Sequence, residues 1–214
     1  KKSDVEYKYK KQSGGHGQYG HVKMTFEPSG DMDTPYVFEQ TVVGGAVPKN
    51  FFPAVEKGIA ESVKKGPLAA YPVTGIKAVL YDGSYHPVDS SEMAFKVATQ
   101  QAFKKGIMEA KPVLLEPIAT LKVVVPEGYT GDVMGELNKR RARVMGMNPT
   151  DNGYQEIVAD IPYLELYGYN ATLRSMTSGS GTFSYEFARY EQAPDDVAAK
   201  QIEERASKLV EVEE

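Results

Sequence analysis

Two short segments carry residue types that could do chemistry: SGGHGQYG at 13–20 and DGSYHPVDSSE at 82–92. Within the first, Gly15, Gly17 and Gly20 match the G-x-G-x-x-G spacing of a dinucleotide loop. That loop works by following a buried apolar strand and opening a helix, whose N-terminus receives the pyrophosphate. Here a lysine-rich segment precedes the glycines and a period-two stretch follows, so context rejects a dinucleotide. No stretch supplies the G-x-x-x-x-G-K-[ST] loop that cradles nucleoside triphosphates. Neither GTP nor ATP is expected to bind that way, and no cofactor is expected in this chain.

In the second segment His86, Asp89, Ser90 and Ser91 invite a hydrolytic reading. A triad needs its nucleophile on a sharp turn beside an oxyanion hole, and Asp89-Ser-Ser-Glu92 already reads as a helix-capping box with Asp89 at the N-cap. His16, His21 and His86 are the only histidines, and none stands at metal-ligand spacing. No metal site and no catalytic residue is expected. An enzyme with His86 as its base ranks behind two binding readings.

Both segments instead suit RNA. Glycine lets a backbone approach phosphate or ribose closely. Tyr19, Tyr85, His16 and His86 can stack on unpaired bases or bond to 2′-hydroxyls. The plainer alternative is two ordinary surface turns of a small α/β domain, and local chemistry alone leaves that open.

The elements that must position these segments follow from periodicity. Residues 4–12 and 21–28 alternate apolar and polar, as two strands of a hairpin around 13–20, and 36–43 reads as a third strand. Phe52, Val55, Ile59 and Val63 mark a helix over 51–65, with Gly66 closing it. A strand over 72–82 precedes the capping box, and a helix runs on to about 110 with Ala94, Val97, Ala98 and Ala102 on one face. A short strand at 112–116 completes a β-β-β-α-β-α-β unit, and Glu116-Pro117 marks the boundary. Beyond it come a strand at 118–125, a helix at 130–141, strands at 142–148 and 154–161, a helix at 163–176 and a strand at 182–190. That β-α-β-β-α-β order is the split-βαβ, ferredoxin-like arrangement. The class is α+β: domains at 1–116 and 117–193, then a C-terminal helix and acidic tail at 194–214. The helix is expected to pack on the first domain through Val197, Ile202 and Leu209, because an isolated helix of that length is marginal in water.

Composition narrows the class further. The net charge of −4 argues against a general nucleic-acid binder. Phosphate contact needs only a local basic face, and the first 23 residues hold six lysines against Asp4 and Glu6. A lysine run is also an ordinary solvated surface. Cysteine is absent, which fits a reducing cytoplasm, and no apolar run approaches a membrane span. The chain begins with Lys rather than Met, which reads as a piece excised from a longer protein.

Longer words resolve the ambiguity. QSGGHGQYGHV at 12–22, VVGGAVPKNFFPAVEKGI at 42–59, YDGSYHPVDSSEMAFKVA at 81–98, PVLLEPI at 112–118 and GDVMGELNKRR at 131–141 resemble elongation factor G, in that order. The resemblance covers nearly the whole chain to about 194, and corresponds to the family's fourth and fifth domains. It implies an α/β domain like one domain of a small-subunit ribosomal protein, followed by a ferredoxin-like domain. It implies that Ser13, Gly14, Gly15, His16, Gly17, Gln18 and Tyr19, with Ser84, Tyr85 and His86, form tip loops. In the family that tip projects into the decoding centre beside transfer RNA and messenger RNA. His86 falls where archaeal and eukaryotic relatives carry diphthamide. The fifth domain lies against large-subunit ribosomal RNA, with Arg140, Arg141 and Ser180 as its candidate contacts.

The implied role is mechanical: a translocation factor of translation whose GTPase part, with its GTP and Mg, lies outside these residues. Its partners are the ribosome, transfer RNA and messenger RNA, with no membrane and no small-molecule substrate. Three departures stand out. The family usually has Arg at His16, Gly at Ala142 and Arg at Ser180. Losing two guanidinium forks weakens the RNA contacts and suggests a paralogue. Ribosome recycling, ribosome protection, or a free-standing RNA-binding module stay open as alternatives.

Overall fold

A computed structural model describes residues 1–210 as two compact units. The first holds Lys1–Pro112 and, of the described residues, 196–210; the second holds Val113–Asp195.

In the first unit, β1 (Ser3–Gln12) and β2 (Gly17–Pro28) form an antiparallel hairpin. β4 (Ile76–Ser84) adds antiparallel to β2, and β3 (Tyr36–Gln40) adds parallel to β4, so the sheet order is β1-β2-β4-β3. The parallel β3–β4 pair requires a crossover, supplied by α1 (Phe52–Ser62). Alternation on β2 buries Val22, Met24 and Phe26. They meet Val55 and Ile59 of α1, and Phe95, Ala98, Ala102 and Phe103 of α2 (Glu92–Glu109), in one core. Ala94, Ala98 and Ala102 are buried as expected, but Val97 is only half-buried, and Phe95, Thr99 and Phe103 complete the buried stripe of α2. Gly106 lets Phe26 lie against the helix, for a Cβ there would come 2.3 Å from the ring.

The second unit has β5 (Leu115–Pro126), α3 (Thr130–Lys139), β6 (Arg143–Pro149), β7 (Tyr154–Pro162), α4 (Tyr169–Met176) and β8 (Thr182–Gln192). All its pairs are antiparallel, in the order β6-β7-β5-β8. This is the expected split-βαβ arrangement. Leu121, Val123, Ile157, Ile161, Leu137 and Leu173 fill its core.

Several local expectations are corrected. No strand at 112–116 joins the first sheet; Leu115 and Glu116 open β5 and pair with Gln192 and Glu191. The 51–65 helix stops at Ser62, with Val63 rather than Gly66 at its C-cap, after a 3-10 turn at Lys49–Phe51. β3 ends at Gln40 and β4 starts at Ile76. The helix read over 163–176 is a 3-10 turn, Tyr163–Leu166, and then α4. Gly168 separates them, because its φ of 72° lies in the left-handed region that helices do not enter.

The terminal helix α5 (Asp195–Arg205) clusters with the first unit, by a polar clamp rather than an apolar stripe. Val197, Ile202 and Leu209 are only half-buried. Arg205 donates to the carbonyls of Ala69 (2.7 Å) and Ala70 (3.1 Å) and lies 3.7 Å over the Tyr71 ring, while the Tyr71 hydroxyl donates to Gln201. Charged hydrogen bonds and a cation–π contact at a half-exposed site are worth about 1–2 kcal/mol together. Arg205→Ala is therefore expected to lower the melting temperature of the first unit by on the order of 5–10 °C and to leave the second unchanged. Calorimetry in which both units melt unaltered would refute the clamp.

Candidate nucleic-acid interface

The two sequence segments meet at one end of the first sheet. The β1–β2 turn brings up residues 13–16, and the segment after β4 brings up 85–91. They are stitched by backbone and side chain. Tyr19 N donates to Asp89 O (2.9 Å), Gly17 N donates to Asp89 Oδ1 (3.2 Å), and Ser90 Oγ donates to Tyr19 O (2.8 Å).

This stitching corrects the capping assignment. α2 begins at Glu92, and Ser91, not Asp89, is the N-cap; its side chain accepts from Ala94 N at 3.1 Å. Asp89 is drawn away because its carboxylate serves Gly17 on the opposite loop. Close approach makes glycine necessary at Gly20, where a Cβ would lie 2.5 Å from the Ala94 carbonyl oxygen. It does so again at Gly83, where a Cβ would lie 2.2 Å from the His21 carbonyl oxygen.

The exposed groups of the tip have assigned directions. Nδ1 of His86 accepts from the amides of Val88 (3.2 Å) and Asp89 (3.0 Å), so Nε2 carries the hydrogen of the neutral ring. Asp89 Oδ2 stands 3.6 Å from Nδ1, but a nitrogen that accepts two amides is no cation partner at that atom. His86 is half-exposed and its ring lies 6.3 Å from that of Tyr19. Gln18 accepts from the Tyr9 hydroxyl through Oε1 (2.9 Å), which leaves its amide hydrogens to turn outward. Ser13, Gly14, Gly15, His16 and Tyr85 are exposed, while Gly17, Tyr19 and Ser84 are half-buried. Lys8, Lys10 and Lys11 are exposed on β1, and among the described residues no carboxylate pairs with them.

Two residues with no part in the tip on sequence grounds, His21 and Glu6, stand at its foot. His21 is 7% exposed. Its Nε2 meets Glu6 Oε1 at 2.5 Å, and its Nδ1 meets Ser84 Oγ at 2.6 Å. The hydrogen bond from His21 holds the Glu6 carboxyl below its ordinary range. The Tyr19 hydroxyl shares the same Ser84 oxygen at 2.6 Å. Only the strand register could have shown this, since it sets His21 opposite Ser84 and diagonal to Glu6. Among the described residues no cluster of His and acidic side chains is arranged to hold a metal ion.

The candidate contacts of the second unit are occupied internally. Arg140 donates to Glu136, to the carbonyls of Glu165 and Tyr167, and to Thr172. Arg141 grips Glu116 with two bonds (2.8 and 3.0 Å) and Glu165 with a third, which raises its pKa further above the ordinary arginine range. Ser180 Oγ donates to Thr177 O. Neither guanidinium is left to fork onto phosphate. Both brace the loops that follow α3 and precede α4, because Glu136, Glu165 and Glu116 converge there.

A family model described as elongation factor G, domain IV, matches residues 1–111, and one described as elongation factor G C-terminus matches residues 113–201. A protein of Thermotoga maritima named as elongation factor G-like is 50% identical over 209 residues, covering 98% of this chain and 30% of that protein. A crystal structure of a Thermus thermophilus protein superposes with a TM-score of 0.81 at 44% identity, over 97% of this chain and 31% of that one. The chain thus spans about a third of the length of these relatives.

Proposed function

The chain belongs to the elongation factor G family, and from that premise we propose that its tip occupies the decoding centre of the ribosome and holds the codon–anticodon duplex during translocation. The observation that carries the reading is the stitched tip. Asp89 and Ser90 fix the two loops to each other, while the His86 Nε2–H and the Gln18 amide remain outward, beside Lys8, Lys10 and Lys11. A rigid end with donors on loops whose glycines allow close approach suits RNA backbone and unpaired bases.

The action asked of this chain is steric and hydrogen-bonding, not bond-breaking. GTP and Mg would act in a part of the longer protein outside these residues. The partners are the small-subunit decoding centre, transfer RNA, messenger RNA and the factor-binding region of the large subunit, and the compartment is the cytoplasm. No helix among the described residues is long and apolar enough to cross a membrane. His16, standing where the family usually has arginine, supports a specialised paralogue.

Chemical footprinting tests the reading. The 214-residue chain, added to ribosomes carrying messenger RNA and transfer RNA, is expected to protect small-subunit RNA at the decoding centre, and the double variant Gln18→Ala, His86→Ala to lose that protection. Binding that leaves decoding-centre RNA fully reactive would sink it.

A further inference from the structure

Glu6, His21, Ser84 and Tyr19 share the face of the first sheet opposite its helices, where β1 and β4 flank β2. Their contacts run in one line, from Glu6 Oε1 to His21 Nε2, from Nδ1 to Ser84 Oγ, and from Oγ to the Tyr19 hydroxyl. The imidazole is buried, so these bonds are its solvation.

Hydrogen-bond arithmetic leaves the line two states. Glu6 is half-exposed and its pKa is lowered by its bond to His21, so it is a carboxylate and only accepts. Nε2 of His21 therefore carries a hydrogen whatever the charge of the ring. When the ring is neutral, Nδ1 accepts from Ser84, Ser84 accepts from Tyr19, and the Tyr19 oxygen offers only lone pairs outward. When the ring is an imidazolium, Nδ1 donates to Ser84, Ser84 turns its hydrogen to Tyr19, and the hydrogen of Tyr19 is released to point outward. One proton from solvent enters at Nδ1; both hydroxyls keep their own protons and only rotate.

We propose that this line sets the Tyr19 hydroxyl as acceptor or donor at the tip, so that engagement of an RNA phosphate oxygen by Tyr19 takes up a proton at His21. The inference rests on the tip reading above. A phosphate oxygen only accepts, so it pairs with the imidazolium state alone. The exposed lysines of β1 favour the same anionic ligand. Around His21, Glu6 on β1 and Asp82 on β4 favour the imidazolium, whereas Lys8, directly opposite on β1, and Lys23 on β2 oppose it. Tyr81 on β4 is committed to Asp4 through its hydroxyl. An inert structural brace would show no link between His21 charge and binding at Tyr19.

The test measures affinity of the 214-residue chain for ribosomes carrying messenger RNA and transfer RNA, from about pH 8 down to about pH 6, where imidazoles titrate. Wild type is expected to gain at least about fivefold more affinity on acidification than Tyr19→Phe or Ser84→Ala. His16 and His86 are retained in both variants, so the difference from wild type isolates the line. An identical pH dependence in wild type and both variants overturns the inference; if His86→Ala still weakens binding, the tip reading survives. If His86→Ala binds like wild type throughout, the tip reading fails, and nitrogen NMR of His21 then decides the line alone. A neutral ring carrying its hydrogen on Nδ1 overturns it, and one carrying it on Nε2, with a titration shifted in Ser84→Ala, supports it.

Discussion

His86→Ala in the full-length protein is expected to slow single-turnover translocation by about 5- to 150-fold, the rate equivalent of losing a hydrogen bond or base stack of about 1–3 kcal/mol. On the proposed reading the GTP site lies outside these residues, so ribosome-stimulated GTP hydrolysis is expected to persist. Geometry adds a control. Nδ1 of His86 holds the amides of Val88 and Asp89, so alanine also loosens the loop. Asparagine can replace that acceptor without the reach of Nε2. His86→Asn should therefore recover the stability lost in alanine, about 1 kcal/mol, yet stay slow in translocation. Full recovery of rate with asparagine would mean that His86 is only a turn residue.

Gly20→Ala is expected to destabilise the first unit by about 1–3 kcal/mol, lowering its melting temperature by on the order of 10 °C. A Cβ at Gly20 would sit 2.5 Å from the carbonyl oxygen and 2.7 Å from the carbonyl carbon of Ala94, and 2.9 Å from Phe95 N. All three are backbone atoms of the first turn of α2, so no side chain can swing aside. Yielding would push that turn away from β2, next to the Tyr19–Ser90 bridge that joins the loops. Gly128→Ala is the comparison, since a Cβ there meets nothing within 4 Å and its φ is not positive. A Gly20→Ala melting curve that coincides with wild type would show that β2 and α2 are less closely packed than this.

Much of this architecture was legible in one dimension. Period-two alternation located β1 and β2 because successive side chains on a strand face opposite sides. The split-βαβ order of the second unit followed from alternating periods alone. The two glycine-rich segments were legible as turns because periodicity lapses there, while their reading as tip loops is what the family resemblance implies. Chemistry written in local residue types and spacing survives in sequence.

What tertiary structure decided are pairings between distant segments. Asp89 reads as an N-cap because a carboxylate three residues before a glutamate suits that job; only the fold brings Gly17 N within its reach and passes the cap to Ser91. Leu115 and Glu116 suit any strand, and β8 claimed them. Arg140 and Arg141 are candidate RNA contacts through the family resemblance alone, and only the fold shows that Glu136, Glu165 and Glu116, from separate elements, hold them. His21 looked like a strand histidine among others, and cross-strand register made it a buried link between Glu6 and Ser84. Sequence periodicity states which way a side chain faces, but a hydrogen bond needs a partner within about 3 Å, and only folding in three dimensions sets that distance.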